Sequence, residues 1–206
     1  MSFTFIIGAI VAYLLGSIPS GLWVGQYFFK KDIRQYGSGN LGSTNAFRVL
    51  GKKAGSLVLF CDIFKGFLAM ILALTVFKQP DISPLWMASF AVIGHTFPIF
   101  ASFKGGKAVA TFAGMILAYQ PLLLLYGLII FLVLLAITRM VSLTAMVTIS
   151  LGVLLSLLFN DWVLTAFALA IDIFIIYRHR ANIQRILNGT ENKVPMPWDK
   201  KNKDTK

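Results

Sequence analysis

The chain has 206 residues, of which 57% are hydrophobic and 13% charged, with a formal net charge of +11. A mean hydropathy of +0.77 excludes an ordinary soluble domain, where about a quarter of residues carry charge. At ~20 residues per crossing the length accommodates several membrane spans and no added soluble domain, so the expected class is an all-α, polytopic integral membrane protein.

In chain order, apolar runs predict membrane helices over residues 3–29, 54–77, 84–102, 108–119, 121–137, 142–158 and 162–177. The first has no basic segment before it and is long enough to span, so no cleavable signal is expected. Its middle reads Gly16-Ser17-Ile18-Pro19-Ser20-Gly21, small residues for close helix approach around a proline kink. The segment 30–53 follows as the largest internal stretch outside the membrane. The second span carries Asp62 and Lys65, which share a helix face. Pairing that lowers the cost of two intramembrane charges is preferred there to a direct catalytic role. Cys61, the only cysteine, excludes an intramolecular disulfide and reads as a packing residue.

The third span holds Gly94-His95-Thr96-Phe97-Pro98 and leads directly into Phe103-Lys104-Gly105-Gly106-Lys107. Gln120-Pro121 marks a tight turn or a kink. Segments 108–119, 142–158 and 162–177 are short for full crossings, so seven spans have an alternative of five plus re-entrant pieces. Asp172 in the last span calls for an arginine or lysine partner. Residues 1–191 are expected to form a single transmembrane domain, and the lysine-rich residues 192–206 a disordered basic tail. No internal repeat is present.

Basic residues decide the orientation. Every Lys and Arg except Lys65 and Lys78 lies in segment 30–53, in the turns at 103–107 and 138–141, or from Arg178 onward. With seven spans these all face one side. The positive-inside rule then places the N-terminus outside and the C-terminus in the cytoplasm.

Three polar clusters carry the chemistry. Residues 37–48 read GSGNLGSTNAFR. Gly37, Gly39 and Gly42 leave backbone N–H groups unshielded, Ser38, Asn40, Ser43, Thr44 and Asn45 add short polar side chains, and Arg48 supplies a planar cationic fork. This set suits a phosphate better than it suits a connector. In the second cluster Lys104 and Lys107 bracket Gly105 and Gly106 where a helix is expected to begin, an anion site by charge and free N–H groups. Interfacial anchoring would account for the lysines but not for the glycines. His95, the only histidine before His179, sits beside a helix disturbed by Pro98, where a structural and a functional role weigh equally. In the third cluster, Arg178-His179-Arg180-Ala181-Asn182, the cations suit anionic lipid heads. His179 and Asn182 share a face, which a simple anchor does not need. Two histidines and one cysteine without clustered acids do not make a zinc site.

Together these segments resemble the bacterial acyl-phosphate:glycerol-3-phosphate acyltransferase family. The similarity covers nearly the whole chain and rests on GSIPSG at 16–21, GSGNLGSTNAFR at 37–48, DIFKG at 62–66, GHTFPIFASFKGGKAVAT at 94–111 and RHRANIQRILNGTE at 178–191. Ala108 departs from the glycine expected after the second lysine. Neither the aspartate pattern of CDP-alcohol phosphotransferases nor the His-x4-Asp of soluble-type glycerolipid acyltransferases is present.

The resemblance implies transfer of a fatty acyl group from acyl phosphate to the 1-hydroxyl of glycerol 3-phosphate, giving lysophosphatidate and inorganic phosphate, the first step of phospholipid synthesis. It places the active site on the cytoplasmic side of the bacterial cell membrane. Ser38, Thr44, Asn45 and backbone N–H groups of Gly37, Gly39, Asn40 and Gly42 would hold acyl phosphate. Arg48, Lys104 and Lys107, with Gly105 and Gly106, would neutralise the phosphates. His95, His179 and Asn182 would orient glycerol 3-phosphate or help move its proton; Ser142, at the cytoplasmic start of a span, is a further phosphate-site candidate. A substrate phosphate acting as base is the alternative to His95. No acyl-enzyme, cofactor, nucleic acid or obligatory protein partner is expected; membrane lipid is. The competing class is a transporter of a phosphorylated metabolite or anionic lipid, in which Asp62, Lys65, His95 and Asp172 would mark a path.

Overall fold

The computed structural model describes residues 2–195, and every regular element among them is helical. It divides into two compact units, one ending at Pro121 and the other beginning at Leu122.

In the first unit, α1 (Phe3–Gly16) starts at Ser2, whose hydroxyl accepts the Phe5 N–H at 3.2 Å. Phe5, Gly8, Ala9, Ala12 and Gly16 form its buried face at helical spacing. The helix stops before Pro19, which has no N–H to continue the ladder, and α2 (Ser20–Phe29) restarts it. The segment 30–53 is not one loop. After a 3-10 turn at Ile33–Gln35, residues Ser43–Leu50 wind into α3, and Gly51 at φ 86° turns the chain into α4 (Lys52–Leu74). The helix forms because Ala46 can bury completely against Val24, Ala54 and Val58; an extended connector would leave that face in water. Next, α5 (Pro84–Thr96) is capped by the Ser83 hydroxyl, with Pro84 in its first turn. A second 3-10 turn, Ile99–Ala101, follows, and then α6 (Val109–Tyr119).

Glycines set how closely these helices approach. A Cβ on Gly66 would lie 1.9 Å from the Thr111 carbonyl oxygen, and one on Gly114 1.9 Å from that of Ile63. Backbones of α4 and α6 therefore touch, as small residues permit where lipid removes any hydrophobic drive between helices.

Helix α7 (Pro121–Thr138), which leads into the second unit, fully buries only Leu123 and leaves its other Leu, Ile and Val side chains half-buried or exposed. A soluble protein could not tolerate that surface, whereas a bilayer requires it. It is followed by α8 (Val141–Ser156), a 3-10 turn to Phe159, α9 (Trp162–Arg178) and α10 (Arg180–Leu187). The last two meet at His179 with a bend of 60°. Among the described residues Asp172 finds no arginine or lysine. Ser150 Oγ donates to both its carboxylate oxygens, at 3.1 and 3.0 Å, because the nearest cation along α9 is Arg178, nearly two turns away.

All seven expected apolar segments are helical. Five stretches (Phe3–Phe29, Lys52–Leu74, Pro84–Ala101, Pro121–Thr138 and Val141–Phe159) are long and apolar enough to cross, and the bent α9–α10 pair would make six. The expected short segment 142–158 gains length from its 3-10 turn. By contrast α6 has 11 residues, a rise of ~16 Å against a hydrocarbon core of ~30 Å.

Candidate functional site

The glycine-rich segment resolves into a turn and a helix start. Gly37 and Gly39 take φ of 61° and 68°, left-handed values that favour glycine. A Cβ on Gly37 would also sit 2.4 Å from Asn45 Oδ1. Asn45 is 1% exposed and lies beneath the turn. Its Oδ1 accepts the Ser38 N–H at 2.9 Å, while its Nδ2 donates to the carbonyls of Ile33 at 2.9 Å and Tyr36 at 3.2 Å. Asn45, expected among the phosphate ligands, thus shapes the turn from within. Asn40 acts similarly, its Oδ1 accepting the Gly42 N–H at 2.9 Å. Ser38 and Thr44 remain exposed at the surface. Arg48 is also exposed, on α3 rather than in the turn, and its stem approaches Gly37.

The second turn is built onto α5. Gly105 N–H donates to the Thr96 carbonyl at 3.1 Å, and Gly106 N–H to that of His95 at 3.0 Å. No side chain fits at Gly106, where a Cβ would meet His95 Nε2 at 2.0 Å. Lys104 is exposed and Lys107 half-buried. Ser102, Phe103 and Ala108 all have left-handed backbone, at φ 54°, 59° and 61°. Each costs roughly 1–2 kcal/mol in a residue with a Cβ, and such strain collects where function over-determines the backbone. The Ala108 value accounts for the glycine expected at that position.

Behind this turn lies a buried polar cluster. Asp62 Oδ1 is 2.9 Å from Lys65 Nζ and 3.6 Å from His95 Nδ1, and accepts the Ser20 hydroxyl at 3.2 Å. Lys65 also donates to the Ile18 carbonyl at 2.9 Å. The break in the first span explains the arrangement. Lys65 faces the carbonyl end of α1 and Asp62 the amide end of α2, so each charge meets the helix dipole of opposite sign. Ser20, Leu41, Asp62, Lys65, His95 and Gly106 are among the residues lining one small cavity. The two glycine-rich turns therefore meet there, through Leu41 and Gly106.

In the second unit Glu191, the only glutamate in the chain, gathers three donors. Its Oε1 accepts Ser142 Oγ and Asn182 Nδ2, each at 2.8 Å, and its Oε2 accepts Arg185 Nε at 2.8 Å. Burial pushes this carboxyl up, but the three hydrogen bonds and the guanidinium charge outweigh it and hold it below the ordinary range. His179 is 3% exposed, and its Nδ1 lies 2.8 Å from the Ile175 carbonyl. Nδ1 must carry the proton there, which makes Nε2 the acceptor of the neutral ring.

Ser20, Asp62, Lys65 and Glu191 complete these arrangements without standing among the expected site residues. Their signals in the sequence were an intramembrane charge pair, a serine after a proline break and a lone glutamate.

The family described as glycerol-3-phosphate acyltransferase matches residues 6–189. A glycerol-3-phosphate acyltransferase of Listeria welshimeri is 52% identical over 196 residues, covering 94% of this chain and 98% of the relative. One of Enterococcus faecalis is 54% identical over 195 residues, covering 90% and 89%. Among solved structures, the glycerol 3-phosphate form of PlsY (YgiH), an integral membrane glycerol 3-phosphate acyltransferase, is 37% identical with a TM-score of 0.86, covering 93% of this chain and 96% of that one. Its lysophosphatidic acid form is 36% identical with a TM-score of 0.84, covering 93% and 95%.

Proposed function

The chain belongs to the glycerol-3-phosphate acyltransferase family, and on that premise we propose that it acylates the 1-hydroxyl of glycerol 3-phosphate from an acyl phosphate donor. The hydroxyl oxygen attacks the acyl carbonyl carbon, the bond from that carbon to the phosphate oxygen breaks, and lysophosphatidate and inorganic phosphate leave. The donor is already an activated anhydride, so the protein needs mainly to position the reactants and stabilise charge. The observation that carries this reading is the meeting of two glycine-rich turns, through Leu41 and Gly106, at one small polar cavity.

In this scheme Ser38, Thr44 and the N–H groups of Gly37, Gly39, Asn40 and Gly42 hold the donor phosphate, and Asn45 keeps their turn in shape. Arg48, Lys104 and Lys107 neutralise phosphate charge, the last two aimed by Gly105 and Gly106. His95 or a substrate phosphate takes the hydroxyl proton. His179 and Asn182 orient glycerol 3-phosphate or help move its proton, and Ser142 is a further member of the phosphate site, although Ser142 Oγ and Asn182 Nδ2 already donate to Glu191. The site faces the cytoplasm of the bacterial cell membrane, where the basic segments gather anionic substrates.

The test is to supply purified protein in detergent with glycerol 3-phosphate and either palmitoyl phosphate or palmitoyl-CoA. Lysophosphatidate formed from acyl phosphate alone, with stoichiometric phosphate release, supports the donor assignment. Product from the thioester alone overturns it. No product from either donor redirects attention to flux in liposomes.

A further inference from the structure

The polar cluster behind the second turn has a peculiarity that charge pairing does not explain. Asp62 concentrates its contacts on Oδ1, with Lys65 and Ser20 at hydrogen-bond distance and His95 Nδ1 beside them at 3.6 Å, while its buried Oδ2 accepts no hydrogen bond from the described residues. Buried polar atoms are ordinarily hydrogen-bonded, so a buried carboxylate with every contact on one oxygen stands out. Here one oxygen is the meeting point of three elements: Ser20 from α2, Lys65 from its own helix and His95 from α5.

His95 in turn is the backing of the glycine turn. Its carbonyl takes the Gly106 N–H at 3.0 Å. Its ring leaves no room for a Cβ on Gly106, and its carbonyl leaves none on Gly105, which would approach that oxygen to 2.0 Å. The turn cannot shift without moving His95, whose Nδ1 lies 3.6 Å from Asp62 Oδ1. Lys107 is the next residue along. We propose that Asp62 is a positioning residue: acting through His95, it sets the Gly105–Gly106 turn so that its amides and Lys107 present a preformed site for a phosphate group. The inference rests on the phosphate-binding role given to this turn above.

Positioning and simple electrostatics predict opposite signs, which makes the idea testable. Removing a buried negative charge near an anion site tightens anion binding by Coulomb's law. Loss of positioning weakens it, by roughly 5- to 10-fold for a modest displacement of the turn. The probe is inorganic phosphate, titrated calorimetrically into detergent-solubilised wild type, Asp62→Asn and Ser20→Ala, with melting temperature recorded alongside. Ser20→Ala removes one donor to Asp62 Oδ1 and changes no charge, so it decides the matter if Asp62→Asn does not fold.

The expected result is weaker phosphate binding in both variants, and a parallel rise in KM for a phosphate-bearing substrate with kcat less affected. Unchanged or tighter phosphate binding in a folded variant overturns the proposal. A lowered melting temperature with unchanged phosphate affinity also overturns it, since Asp62 would then be structural only. Because binding is read without turnover, a wild type that binds phosphate yet transfers no acyl group would sink the enzymatic reading and leave this one standing.

Discussion

Arg48 and Lys107 are the residues on which the proposed chemistry turns most directly, and both are reachable from water. Replacing either with Ala should lower turnover by at least about 100-fold, the scale set by removing a charge-stabilising donor, while the melting temperature stays near wild type. Near-normal activity would remove that residue from the site. Glu191 makes a different case. Its folded-state carboxyl lies below its ordinary value of about 4.5, so its contribution to stability is complete above that pH and fades as pH falls through the lower folded value. Melting temperature followed from pH 7 into acid should therefore fall less steeply in Glu191→Gln, which also starts lower at neutral pH. Parallel wild-type and variant curves would mean that other carboxylates dominate. Ala108→Gly sets two small effects against each other. Relief of the left-handed backbone is worth roughly 1 kcal/mol, while loss of a buried methyl and greater unfolded-state entropy cost about as much. A stability change beyond about 1 kcal/mol in denaturant or thermal unfolding would show that the turn is strained differently.

Helix packing fixes where these residues stand, and the α4–α6 contact is the most sensitive point. Gly66 and Gly114 each lie where a methyl group would meet backbone, not a yielding side chain. Gly66→Ala or Gly114→Ala should cost more than about 2 kcal/mol, visible as loss of monodisperse protein on extraction. A well-folded Gly66→Ala variant would mean that the two helices separate easily. The break between α1 and α2 behaves as a functional element too, since it creates the helix ends that Asp62 and Lys65 face. In the apolar interior such a pair is stable only as a pair; removing one partner costs roughly 3–5 kcal/mol.

Orientation in the membrane belongs to the whole molecule, and the one proposed above rests on the uneven spread of basic residues. The single native cysteine makes it measurable. In a Cys61→Ser background, Lys78→Cys should react with a membrane-impermeant maleimide added to intact cells, and Lys104→Cys only after the membrane is opened. The reverse pattern would invert the topology and put the site on the wrong face for cytoplasmic substrates.

Much of this was legible before any fold was known. Apolar runs of ~20 residues can be satisfied only as helices in lipid, so their existence and type follow from composition and backbone hydrogen bonding alone. Glycines and hydroxyls before an arginine at 37–48, and glycines between two lysines at 104–107, suit a phosphate where membrane helices flank them, and that made both segments candidates. Sequence could not show that residues 43–50 form a helix, because that depends on Ala46 finding Val24, Ala54 and Val58. Nor could it tell a ligand from a scaffold: Asn45 and Ser38 look alike in the chain, yet one is spent beneath the turn and the other lies at its surface. Asp62, read as half of an ion pair, gained its link to His95 only when α4 and α5 came together. Local pattern determines what a segment can be, through interactions that the segment makes with itself and its solvent. Which polar atoms are already used is settled between segments far apart in sequence, and only the tertiary structure decides that.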